Sequence, residues 1–200
     1  SQALSLSEYC SDLKPHSETY EHIGEVPMFV HDLRPIWEEK KAKHHIFVSA
    51  EEAWVKFETD LPFPPGLIWE YLTTPNLEAG FMGYDYAERT DTLGGRVREN
   101  AEFHCAHGEL NIYNKILDWK PYEYYTLDQS VPIASVVYHQ TRRLIPTENG
   151  THVAIYLSKP LEGANMEIEQ MLQAKVDDSY NGLGAFIEKD IANGKVTTAI

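Results

Sequence analysis

The chain has 200 residues, 42% of them hydrophobic, with 31 acidic against 17 basic side chains and a formal net charge of −14. A surface of that sign repels phosphate backbones and anionic lipid, which argues against nucleic acid and membrane surfaces as partners. No apolar run approaches the roughly 20 residues that span a bilayer, the start at Ser1 shows no signal pattern, and Cys10 and Cys105 make no disulfide framework, so a soluble, cytoplasmic protein is expected, with no membrane insertion.

Residues 1–50 show no core of their own. They hold a short helix over Leu4 to Leu13, a strand-like run from Glu25 to Val30 and a charged segment from Ile36 to His45. The stretch Thr19 to Leu33, in which Gly24 precedes a short apolar run, resembles the closing strand of class III nucleotide cyclase-like domains. That resemblance implies the C-terminal piece of a longer protein with a neighbouring cyclase-like domain; the alternative is an N-terminal arm that packs on the domain formed by the rest of the chain. Ala53 to Leu61 then alternates Val55, Phe57, Thr59 and Leu61 against Trp54, Lys56 and Glu58, which predicts a first strand. Pro62, Pro64, Pro65 and Gly66 end it. Leu67 to Leu72 comes next as a short amphipathic helix stopped by Thr73-Thr74-Pro75, and Asn76 to Phe81 as a second.

Strand patterns resume over Tyr84 to Thr90, Arg96 to His107, Leu110 to Trp119, Glu123 to Gln129 and Ser135 to Ile145, each bounded by turn residues. Glu148-Asn149-Gly150 is a hairpin signal into His152 to Ser158, which brings the strands to seven. From Asn165 to Ile191 the residues Ile168, Leu172, Val176, Tyr180, Leu183, Ile187 and Ile191 recur every three or four positions, on one face of a long helix. Gly182 and Gly184 interrupt it at about 1 kcal/mol each relative to Ala, which suggests close backbone approach or, equally, a weakened surface turn. The simplest architecture is α+β: a curved, seven-stranded antiparallel sheet wrapped round the long C-terminal helix.

This order of elements resembles the START-like helix-grip superfamily, the SRPBCC group that includes polyketide cyclase-like and lipid-transfer proteins. Leu61-Pro62-Phe63-Pro64-Pro65-Gly66-Leu67-Ile68-Trp69-Glu70-Tyr71-Leu72-Thr73-Thr74-Pro75 is similar to that group's proline-led helix, and Asn149-Gly150-Thr151-His152-Val153 to its turn before the last strand. The resemblance covers about residues 50–193 and divides the chain into an arm (1–50), a helix-grip domain (51–193) and a tail (194–200). It implies a cavity between sheet and helix, closed by the short helices. It implies no particular reaction, because the fold hosts transfer, sensing and catalysis alike.

Alternation assigns the residues that face such a cavity. Val97, Ala101, Phe103 and Cys105 share a face that carries Glu99 and His107 inward. Leu144 brings in Arg142, Gln140, Tyr138 and Val136, while Val153, Ile155 and Leu157 point in from the last strand, and Val176 and Tyr180 complete the set from the helix. A buried arginine needs a carboxylate or a ligand, and by face Glu99 is the candidate partner. Arg142, Glu99, His107 and Gln140 would orient a ligand's polar end, or form a structural ion pair. Only Cys105 and His107 of the Phe103-to-Gly108 run share a face and nothing completes four ligands, so no metal site is expected, and Cys105 reads as a small buried hydrophobe. No cofactor and no catalytic signature is recognised. The expected function is binding of a small hydrophobic or amphipathic molecule, as a sensor or regulatory module of a longer protein. The alternatives are a cyclase- or hydrolase-type enzyme using Glu99 or His107 beside Arg142, and a protein-interaction domain with a filled core.

Overall fold

A computed structural model describes residues 46–90, 100–108, 110–131 and 136–195. The expected elements before residue 46, including the cyclase-like stretch, lie outside the described residues, as do Val97 and Glu99. The strands are β1 (Val55–Leu61), β2 (Tyr86–Arg89), β3 (Glu102–His107), β4 (Leu110–Lys120), β5 (Tyr124–Val131), β6 (Val136–Thr147) and β7 (Gly150–Leu157). The helices are α1 (Pro65–Thr73), α2 (Pro75–Met82), α3 (Met166–Asn181) and α4 (Leu183–Ala192). All seven strands form one antiparallel sheet in the order β1-β7-β6-β5-β4-β3-β2.

Period-two alternation gives each strand one apolar face, and the helices cover it. Val55, Phe57, Phe103, Ile116, Leu127, Leu144, Val153, Ile155 and Leu157 from the sheet join Ile68, Leu72, Leu172, Val176, Leu183 and Ile187 in one buried core, each large side chain contributing roughly 1.5–3 kcal/mol. The phase changes once, in β4. The register shifts between Ile116 and Asp118, so Leu117 is an extra residue in the strand. Ile116 therefore faces the helices, Asp118 the other side, and Trp119 the helices again, where it meets Trp69 at 4.7 Å between ring centroids.

The sheet's outer face is covered in part by residues 46–50, which the sequence reading placed in the arm. Val48 is buried with Ala154 and Tyr156, its N–H donates to Thr141 Oγ1 at 2.8 Å, and the Ile46 N–H donates to Asp118 Oδ2 at 3.2 Å. We call this stretch the strap.

The stretch expected to be one long helix is two, α3 and α4, separated at Gly182. Asn165 caps α3, its Oδ1 accepting the Ile168 N–H at 3.0 Å. The two glycines differ. A Cβ on Gly182 would meet nothing nearer than 3.8 Å, so Gly182 marks a turn, whereas one on Gly184 would come within 3.0 Å of Leu61 Cδ2, a true close approach. Gly150 is tighter still, since an added Cβ would lie 2.1 Å from the Leu61 carbonyl oxygen. That approach is why the hairpin signal carries glycine there.

Candidate functional site

β6 runs through the middle of the sheet, and its alternation points Tyr138, Gln140 and Arg142 at the helices. Arg142 is 1% exposed. A guanidinium so placed must be paired. Its Nη1 lies 2.7 Å from Glu78 Oε1 and donates to the Tyr125 hydroxyl at 2.7 Å, and its Nε donates to Gln140 Oε1 at 3.3 Å. Tyr125 passes the chain on by donating to the Leu72 carbonyl at 2.6 Å. The Arg142 guanidinium also lies over the rings of Tyr125 and Tyr180, at 5.4 and 5.6 Å.

Glu78 comes from the first turn of α2, where the helix's unpaired N–H groups favour a negative charge. Sequence reasoning missed it and offered Glu99 instead. The signal was helical spacing: Pro75, Glu78, Ala79 and Phe81 are the buried residues of α2, so Glu78 lies on its inward face. The inward assignment of Glu99 rested on unbroken alternation to Ala101, but Asn100 has φ of +63° and strand β3 begins only at Glu102. Burial pushes the Glu78 carboxyl up, against the pull of Arg142. Burial likewise works against the Arg142 charge, yet Glu78 beside it keeps the guanidinium protonated.

Around this pair the interior is polar and incompletely satisfied. Tyr138 donates to Gln129 Oε1 at 2.7 Å, and Asn114 Nδ2 reaches Cys105 Sγ at 3.8 Å. Glu78 Oε2 and Asn114 Oδ1 are buried without a hydrogen-bond partner, and the Tyr180 hydroxyl, beside Gln140, makes no hydrogen bond of good geometry. Above the pair lies a recess of about 10 Å³, lined by Met82, Gln129, Tyr138, Gln140, Leu172, Lys175, Val176, Ser179 and Tyr180. That is room for about one water molecule.

Of the residues singled out in the sequence, Tyr138, Gln140, Val176 and Tyr180 line this recess and Arg142 lies against Tyr180. Phe103 and Ile155 are in the main core. Cys105 belongs to a side cluster with Ala79, Tyr84, Ala87 and Ile112, and burial, aided by the Glu78 charge, pushes its thiol up to about 12. It is a thiol at neutral pH, and therefore a poor nucleophile. Glu99 and the His107 side chain lie outside the described residues. Among the described residues no group of His, Cys, Asp and Glu is arranged to hold a metal.

No family model and no curated protein sequence matches the chain. Solved structures do. DynU16, from the dynemicin biosynthetic locus, superimposes with a TM-score of 0.56 at 16% identity, over 67% of this chain and 46% of its own. MLL2253 of Mesorhizobium loti gives 0.57 at 16% identity, over 68% of this chain and 96% of its own. CalU16 of Micromonospora echinospora gives 0.50 at 16% identity, over 69% and 78%. These structures share the helix-grip arrangement of sheet and C-terminal helix. The chain has the helix-grip fold. At such identities the likeness reaches no further than the fold, and this chain spans less than half of DynU16. In helix-grip terms, α3 and α4 together are the gripped helix, broken once, and α1 and α2 are the short helices that follow the first strand. The ion pair joins one of those short helices to the middle of the sheet.

Proposed function

We propose that this helix-grip domain belongs to the SRPBCC group and binds a small, largely apolar molecule between α3 and the sheet, as a sensing or regulatory module. The observation that supports the reading is the set of buried polar atoms left poorly satisfied, Glu78 Oε2, Asn114 Oδ1 and the Tyr180 hydroxyl. A core built only for stability leaves few such atoms, because each costs about 1–3 kcal/mol. A ligand with one polar end would meet the Tyr180 hydroxyl, which of the three lines the recess, while Leu172, Val176 and Met82 cover its apolar part. With about 10 Å³ free, a ligand larger than one water must displace lining side chains such as Met82.

The test is native mass spectrometry of the protein purified from cells, joined to Tyr180→Phe. The Tyr180 hydroxyl has no well-made hydrogen bond, so its removal should leave stability within about 1 kcal/mol and reduce retention of the co-purified molecule. A second reading, a domain whose chamber its own side chains fill, is favoured by the small free volume. Under that reading no small molecule co-purifies and Tyr180→Phe is silent in every assay.

A further inference from the structure

Two cations bear on the recess. Arg142 is cancelled by Glu78 at 2.7 Å. Lys175 is not cancelled: it lines the recess, its Nζ stands over the Tyr84 ring at 5.7 Å from the centroid, and among the described residues no carboxylate lies within ion-pairing distance of it. Burial pulls the Lys175 ammonium below its ordinary range, with Cys105 and Asp178 acting weakly the other way. An amine held partly out of water beside an aromatic face gains most from an anion that reaches it. Ser179 lies one helical turn along the same face and also lines the recess. Lys175 stands on α3 one turn from Leu172 and next to Val176, so a ligand whose apolar part touches those two would carry its head group to the ammonium.

We propose that Lys175 anchors the head group of the recess ligand, which makes that ligand an amphipathic anion, a small carboxylate with an apolar tail. The proposal rests on the reading of the recess as a binding site. The protein's net charge of −14 opposes the approach of an anion at long range, but at physiological salt charges beyond about 8 Å are largely screened, and the local ammonium decides the bound complex.

The experiment uses the full chain and three probes of equal tail length, octanoate, octanol and octylammonium, titrated calorimetrically against wild type, Lys175→Met, Lys175→Arg and Tyr180→Phe. Wild type should bind octanoate about tenfold more tightly than octanol, the gain of one charge-assisted hydrogen bond, and octylammonium more weakly than either. Lys175→Met should bring octanoate down to the octanol level and leave octanol unchanged, while Lys175→Arg retains the preference. Equal binding of octanoate and octanol by wild type, with Tyr180→Phe weakening both, overturns the anchor and leaves the recess as a site for neutral ligands. Binding of none of the three probes overturns the recess reading and the anchor with it.

Discussion

Arg142→Met removes the cation beside Glu78 and leaves a buried carboxylate without its charge partner. Breaking such a pair costs about 3–5 kcal/mol. Replacing both members, as in Arg142→Met with Glu78→Gln, should recover most of that loss, and urea denaturation of the four proteins measures the coupling directly. A single mutant as stable as the double would mean that Glu78 simply takes a proton. Tyr71 gives a pH test. Burial, with Asp190 beside it, pushes its phenol from 10.0 up to about 12, and its hydroxyl donates to Asp190 Oδ2 at 3.2 Å. The folded phenol thus holds its proton in a window where the unfolded one has lost it. Its contribution is complete below pH 10 and is lost as pH rises towards 12. Tyr71→Phe should remove that share of the alkaline loss in denaturation midpoints taken from pH 9 to 12. At this scale Arg142 was legible in the sequence because β6 alternates without a break, from Val136 to Leu144. For Glu78 helical spacing gave the inward face but not the partner, which lies across the fold and is reached only through the three-dimensional path of α2.

The helices and strands carry their own tests. Val176 is buried on α3, so Val176→Asp should unfold the domain, since a buried unpaired carboxylate costs several kcal/mol against marginal stability. A cooperative melt at the wild-type midpoint would remove α3 from the core. The two glycines separate turn from close approach. Gly182→Ala should stabilise by up to about 1 kcal/mol, because Ala lowers the backbone entropy lost and meets no neighbour, whereas Gly184→Ala sets that gain against crowding by Leu61 and should give less. Equal gains in melting midpoint would show that Leu61 yields freely. Among the described residues element existence was legible, since hydrophobic period and turn residues marked the seven strands and the two short helices. The break at Gly182 was signalled by the glycine itself, though apolar spacing runs straight across it; the phase change at Leu117 was not, since no residue type announces a bulge.

For the whole molecule, the strap makes the sheet's outer face part of the fold. Shortening the chain from 46–200 to 51–200 removes Val48 and its hydrogen bond to Thr141. That burial is worth roughly 1.5–3 kcal/mol, and the melting midpoint should drop by about 5–10 °C. Equal midpoints would make the strap a passive cover. The strand order has a consequence in time. Among the described residues β1 pairs only with β7, the Thr151 hydroxyl finds the Phe63 carbonyl across 88 residues, and the Val48 N–H finds Thr141 across 93. During synthesis, at about 5–20 residues per second, β1 therefore waits on the order of 5–20 s for its neighbour, with both edges open. Lys56, Glu58 and Asp60 alternate along it, and charges at that spacing keep a waiting strand from pairing with another chain.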